Sequence, residues 1–292
     1  MKNTILVTGA NGQLGNEIKQ LTGKFMKFNF LFTDVEDLDI TNKSAVHNFY
    51  TKNKFDYIVN CAAYTNVDKA ENDFKNAENI NANAVKILAE ISKQYKIPFI
   101  HISTDYVFDG ESEIPYKEND KTNPQSVYGK TKLLGENFAK QAFSYYIIRT
   151  SWLYSVYGNN FVKTMLRLGK ERDKLNVVAD QIGSPTYAGD LAFSVLEIIR
   201  KISDEPEKYP SGIYHFSNEG VCSWYEFAKE IMSVAKINCT VNPVSSEEYP
   251  TAAKRPKYSL LDKTKIKEIF DTEVPFWKDS LKRCLKQLLI SK

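Results

Sequence analysis

The feature that most restricts the fold is a regular switch between two periods. Five short runs rich in β-branched and aromatic residues recur in the first half, at residues 4–8 (TILVT), 29–33 (NFLFT), 56–60 (DYIVN), 98–103 (PFIHIS) and 145–149 (YYIIR). Stretches with helical spacing lie between most of them. In residues 82–95, for example, Ala84, Ile87, Leu88 and Ile91 share one helix face. Short, nearly continuous apolar strands separated by helices predict a parallel sheet covered on both faces. Right-handed crossovers then leave a doubly wound α/β sheet, with ligands expected at the carboxyl ends of its strands.

The second half is less regular. Helical patterns occur at residues 189–202, 223–235 and 279–290, between loops rich in Pro, Asn and Ser, and a turn-rich segment at 109–124 interrupts the first half. A chain of 292 residues holds one large or two modest domains. The expected division is a first domain over 1–150 and a smaller, mixed C-terminal lobe over 151–292, some segments of which return to the first domain. With 42% apolar and 26% charged residues, disorder, collagen and coiled coil are excluded. Net charge is +3, with both signs interspersed, which argues against nucleic acid or an anionic membrane surface as partner. Cys61, Cys222, Cys239 and Cys284 are far apart and lack zinc or redox spacing, so no metal is expected and the thiols read as incidental. The longest uncharged stretch, residues 3–16, contains three glycines and suits no membrane span. Nothing at the N-terminus resembles a secretory core, and a reduced, cytoplasmic chain is the expectation.

The first strand leads into Gly9-Ala10-Asn11-Gly12-Gln13-Leu14-Gly15 and then a helix. A pyrophosphate must approach main-chain N–H groups closely there, and the helix N-terminus adds free amides and a favourable dipole. Three spaced glycines alone are common. The preceding strand, following helix and N-terminal placement make this a Rossmann-type dinucleotide turn. Asp34 ends the second strand 19 residues after Gly15, where a ribose 2′-hydroxyl is expected to be held, and no Arg lies nearby for a 2′-phosphate. That balance favours NADH over NADPH.

Tyr128 and Lys132 are four apart at the start of a helical stretch, so they share a face. A phenol near pKa 10 is a poor acid at neutrality, and a neighbouring ammonium is expected to lower it. A bare Tyr-x-x-x-Lys is nearly uninformative in a chain with 17 tyrosines. Its weight comes from Ser103-Thr104-Asp105-Tyr106-Val107-Phe108-Asp109-Gly110, where hydroxyls and carboxylates emerge at a strand's carboxyl end. A Ser or Thr hydroxyl there can donate to a carbonyl oxygen gaining negative charge. His47, His101 and His215 read as packing residues, Cys61 as a small buried side chain, and Trp224 and Trp277 as packing anchors.

Together these residues resemble the extended short-chain dehydrogenase/reductase superfamily and, within it, the reductases that complete dTDP-L-rhamnose synthesis. The resemblance covers essentially the whole chain. Its more specific motifs are Ser103 to Gly110 and Asp180-Gln181-Ile182-Gly183-Ser184-Pro185-Thr186, with Arg255-Pro256-Lys257-Tyr258-Ser259-Leu260-Leu261-Asp262 near the end. It implies reduction, by NADPH or NADH, of the C4 ketone of dTDP-4-dehydro-L-rhamnose, a nucleotide-linked deoxy-sugar. The first domain would bind dinucleotide and the lobe mainly sugar nucleotide. Tyr128 would protonate O4, Lys132 would bind the nicotinamide ribose, and Thr104 would hydrogen-bond the reacting oxygen. Gly9, Asn11, Gly12, Gln13, Leu14, Gly15, Asp34, Asp39, Ile40, Ala62, Ala63, Tyr64 and Thr65 would line the cofactor. Asp105 and Trp152 would seat the sugar nucleotide. Arg255 is read independently as a clamp for its diphosphate, since a guanidinium fork suits phosphate oxygens. Monomer and homodimer both fit. Alternatives are another nucleotide-sugar ketoreductase or epimerase of the superfamily, or a non-catalytic NADP-binding regulatory subunit. Tyr106 following Asp105 disfavours a dehydratase, which would carry an Asp–Glu pair there.

Overall fold

A computed structural model describes residues 2–290. The first half runs β1 (Asn3–Thr8), α1 (Gln13–Leu21), β2 (Phe28–Thr33), α2 (Lys43–Asn53), β3 (Tyr57–Asn60), α3 (Val67–Ala70), α4 (Phe74–Glu78), α5 (Ala84–Tyr95), β4 (Pro98–Thr104), α6 (Val127–Ala139) and β5 (Ser144–Thr150). The second half follows with β6 (Leu153–Tyr154), α7 (Phe161–Glu171), β7 (Lys174–Val178), β8 (Ile182–Gly183), β9 (Thr186–Tyr187), α8 (Ala188–Asp204), β10 (Gly212–His215), β11 (Cys222–Ser223), α9 (Trp224–Ala235), β12 (Thr240–Val244), α10 (Thr264–Phe270) and α11 (Trp277–Ile290).

The main sheet has the order β10-β5-β4-β3-β1-β2, and all its pairings are parallel. This is the doubly wound α/β sheet that the alternating periods predict, and each of the five sequence runs falls on one strand. From β1 the chain steps outward to β2 and then returns to the other side of β1 as β3. That reversal opens a crevice beyond the carboxyl ends of β1 and β3, where such sheets bind ligands.

Successive strand residues serve opposite layers. Ile5 and Val7 of β1 pack with Leu14 and Ile18 of α1 and with the apolar face of α8, while Leu6 packs on the other side against α2 and α5. Each such fully buried aliphatic side chain stabilises the fold by roughly 1.5–3 kcal/mol. A third core joins α7, α9 and α11 through Val162, Phe227, Trp277 and Leu281. It forms a lobe beside the carboxyl edge of the sheet, while α8 and β10 lie with the main sheet.

Helix starts differ from the periodicity where capping decides. Ser223 is the N-cap of α9 in a capping box with Glu226 rather than its first residue. The pattern at 82–95 begins in a π-helical turn, Asn79–Asn83, before α5. Trp277 and Lys278 extend α11 ahead of residue 279. Among the described residues no helix is long and apolar enough to cross a membrane.

Candidate active site

The crevice opens into a cleft of about 1100 Å³, running from the glycine turn to the lobe. Its outer end is shaped by backbone. Gly9 has φ +64°, and a Cβ there would lie 2.6 Å from the backbone of Ala62. Gly15 packs α1 onto the turn, since its Cβ would fall 2.5 Å from Ala10 Cα. No side chain caps the start of α1, so its first turn faces the cleft with the dipole and amides that suit an anion. These features fit a dinucleotide pyrophosphate.

Gly9, Asn11, Gly12, Gln13, Leu14, Asp34, Asp39, Ile40, Ala62, Ala63 and Thr65 all line this cleft. Two residues expected with them do not. Gly15 lies beneath the turn. Tyr64 turns away: its hydroxyl donates to Asp73 at 2.9 Å, and its ring packs with Ala70 and Ala77. Asp34 has structural partners of its own, since its carboxylate accepts from the N–H of Asn11 at 2.8 Å and of Val35 at 2.9 Å. The acid that ends β2 therefore also ties the glycine turn to the neighbouring strand.

The inner end gathers Thr104, Asp105, Tyr128 and Lys132. Ser126 caps α6 by accepting from the Gly129 N–H, which starts the helix so that Tyr128 occupies its first turn. Thr104 Oγ1 donates to Asp105 Oδ1 at 2.9 Å, and its side chain also faces the Tyr128 hydroxyl. Burial pushes the Asp105 carboxyl up to about 7, and its Oδ2 is enclosed without a partner among the described residues. An orphaned acceptor in a polar cleft suits a hydroxyl-bearing ligand.

Lys132 behaves differently from expectation. Its Nζ donates to the Ile102 carbonyl at 2.6 Å, and burial lowers it to about 8 against the opposing pull of Glu136. Tyr128 is raised, not lowered, chiefly by burial and then by nearby Asp105 and Tyr106, with Thr104 acting the other way. Spacing on a helix face brought the two side chains into one site. It could not reveal that burial disfavours the phenolate while the Lys132 ammonium is turned to the Ile102 carbonyl.

The lobe supplies the far wall. Trp152 lines the cleft from a left-handed backbone conformation, φ +49°, uncommon for a bulky side chain and characteristic of functional sites. Its indole stacks on Trp224 at 3.7 Å. Arg255 does not line the cleft. Its guanidinium bonds Asp68 at 2.5 Å and the Tyr106 hydroxyl at 3.1 Å at the rim. Sequence reasoning missed Gly158 and Asn159, which close over the turn while Asn160 donates to Gln13 at 3.0 Å. Asn160 is the N-cap of α7, and an Asn before a helical run reads simply as a cap. It also missed Asn76, Asn79 and Ile80, which reach the cleft from α4 and the π-helical turn, an irregularity without a sequence period.

Comparison with known proteins fits this geometry. A dTDP-4-dehydrorhamnose reductase from Aggregatibacter actinomycetemcomitans is 45% identical over 286 residues, 95% of this chain and 97% of the relative. A crystal structure of a dTDP-4-dehydrorhamnose reductase from Clostridium acetobutylicum superposes with a TM-score of 0.91 at 48% identity, covering 98% and 99% of the two chains. One from Bacillus anthracis, in complex with NADP, gives a TM-score of 0.91 at 43% identity, covering 98% and 100%. The family model described as the RmlD substrate binding domain matches residues 1–290, and the chain belongs to that family.

Proposed function

We propose that this chain reduces the C4 ketone of dTDP-4-dehydro-L-rhamnose to dTDP-L-rhamnose with NADPH or NADH. The observation that carries this reading is the meeting of Tyr128 and Thr104 at the inner end of a cleft whose outer end is the glycine turn. Gly9, Gly12, Gln13 and Leu14 hold the pyrophosphate, Asp34, Asp39 and Ile40 the adenosine end, and Ala62, Ala63 and Thr65 the middle. The reduced nicotinamide, when bound, supplies the hydride equivalent. Thr104 donates to the carbonyl oxygen, which favours the build-up of negative charge there. Tyr128 then gives its proton to O4, so the ketone becomes an alcohol and the phenolate is left on the enzyme. Lys132, as a buried cation, favours that phenolate and binds the nicotinamide ribose. Asp105 and Trp152 seat the sugar, and Arg255 at the rim engages the diphosphate. Residues 1–150 thus serve the dinucleotide and 151–292 mainly the sugar nucleotide. The reading carries with it a cytoplasmic enzyme, monomer or homodimer, with no nucleic-acid or membrane partner.

The test is Tyr128→Phe, with loss of NADPH or NADH absorbance followed against a panel of nucleotide-linked 4-keto-6-deoxy sugars. Turnover is expected to fall about 100-fold or more, with dinucleotide affinity by titration calorimetry kept within about threefold, since the phenol ring stays. Unchanged turnover would remove Tyr128 from the chemistry.

A further inference from the structure

Beneath the Tyr128/Lys132 pair lies a buried charge cluster that the mechanism above does not use. Glu136 is on α6, one turn beyond Lys132 and two beyond Tyr128, and so on the same face. Both of its oxygens are engaged. Oε1 accepts from Ser103 Oγ at 2.6 Å and from Arg149 Nε at 2.8 Å, and Oε2 accepts from another Arg149 nitrogen at 2.8 Å. Arg149, on β5, is itself fixed by the Phe108 ring, whose centroid lies 4.9 Å from its guanidinium carbon.

Three neighbouring residues of β4 therefore hold three successive turns of α6. Ile102 accepts from Lys132, Ser103 donates to Glu136, and Thr104 faces Tyr128. Side chains on a helix lean toward its N-terminus, which lets Glu136 reach back toward the catalytic end. Such a brace does not require charge. A buried ion pair can often be replaced by apolar residues of similar volume without loss of stability. What an apolar pair cannot do is present a negative charge to Lys132, which is buried and whose Nζ has the Ile102 carbonyl as its hydrogen-bond acceptor. The other groups facing Lys132 offer little of that kind. Cys61 at the end of β3 is held as a thiol by burial, and His101 on β4 is held neutral.

We infer that Glu136, clamped by Arg149 and Ser103, is a positioning residue for this reaction: it sets the register of α6 on β4 and supplies the negative charge that faces Lys132. The inference rests on the reading of Tyr128 and Lys132 given above, but its test is separable from it. The decisive measurement is the titration midpoint of Lys132, followed by NMR in protein carrying 13Cε-lysine and assigned with Lys132→Met. In Glu136→Gln the midpoint is expected to fall by about one pH unit, and the alkaline limb of kcat moves to lower pH with it. In Glu136→Asp, which keeps the charge, the midpoint stays near wild type while kcat falls because the register is looser. A merely structural role would lower stability in both variants and move neither the midpoint nor the pH profile. An unchanged midpoint in Glu136→Gln overturns the inference, whatever happens to turnover. If Glu136→Gln does not fold, the double variant Glu136→Met/Arg149→Met is compared with Arg149→Met, which keeps the carboxylate, and equal Lys132 midpoints in those two overturn it equally. Retained turnover in Tyr128→Phe would defeat the catalytic reading and leave this titration standing.

Discussion

Two arginine–carboxylate pairs flank Tyr128, and they differ in almost everything except chemistry. Arg149 and Glu136 meet at 2.8 Å with side chains 2% and 0% exposed. Arg255 and Asp68 meet at 2.5 Å with side chains 23% and 43% exposed. The inner pair joins β5 to α6 inside the fold. The outer pair joins the loop that follows β12 to α3 at the rim of the cleft. Separation alone would rank the outer pair as the stronger, and solvent reverses that ranking. Breaking a buried pair leaves one charge stranded in a poorly polarisable interior, whereas an exposed charge recovers its hydration. The inner pair is thus suited to hold shape, and the outer pair to exchange partners when an anionic ligand arrives.

The largest expected effect tests that contrast directly. Arg149→Met should cost about 3–5 kcal/mol of stability in urea unfolding, because Glu136 is left buried and unpaired. Arg255→Met should cost under about 1 kcal/mol by the same measurement. Equal losses would break the distinction between the two sites.

Asp105, beside Tyr106 and Tyr128, sharpens the comparison through pH. Burial raises its carboxyl from the ordinary value near 3.8 to about 7 in the folded chain. Between those values the folded state binds more protons than the unfolded one. The raised carboxyl therefore contributes stability that is fully present below about pH 4 and is lost as pH rises through about 7. Asp105→Asn removes this dependence. Its stability relative to wild type should be constant below about pH 4 and then improve by about 2–4 kcal/mol by pH 8. Urea midpoints at pH 4, 6 and 8 measure it. A flat difference would mean that the carboxylate is compensated in place, as the outer pair is, rather than stranded as one half of the inner pair would be.

The main sheet was readable because its strands are buried on both faces and its helices on one, so residue type and period both report position. Leu6, Ile58 and Leu88 could not sit elsewhere without exposing their side chains. The glycine turn was equally readable, since Gly9 alone among ordinary residues tolerates both its φ and the approach of Ala62. What the sequence did not disclose was side-chain direction in loops and the charge state of buried groups. Tyr64 sits next to lining residues yet bonds Asp73 behind them. Arg255 carries the right fork for phosphate, yet in this structure it grips Asp68 and Tyr106. Glu136 belongs to no motif read in the sequence, and only the fold shows it meeting Arg149 from a strand that follows. These facts depend on contacts between distant segments, which no local pattern encodes.

The outer pair supplies the smallest and most discriminating expectation. Asp68 does two jobs: Oδ2 holds Arg255, and Oδ1 accepts the Ala253 N–H at 3.0 Å. Asp68→Asn keeps an acceptor for Ala253 and removes the charge that holds the guanidinium. If Arg255 turns to the diphosphate when the sugar nucleotide binds, Asp68 competes with substrate for it. Removing Arg255 by Met should then raise KM for the sugar nucleotide about tenfold, close to 1.4 kcal/mol of lost binding. Asp68→Asn should leave KM unchanged or lower it by about threefold at most. A rise in KM for Arg255→Met together with an unchanged or lowered KM for Asp68→Asn identifies an exchange site, and an unchanged KM in both removes Arg255 from the diphosphate. A parallel rise in KM in both would show that the pair itself shapes the mouth of the cleft, and the outer site would then be a second brace like the inner one. Steady-state kinetics at low and high salt separate the cases further, because the contribution of an exposed guanidinium to a phosphate is screened while that of a buried brace is not.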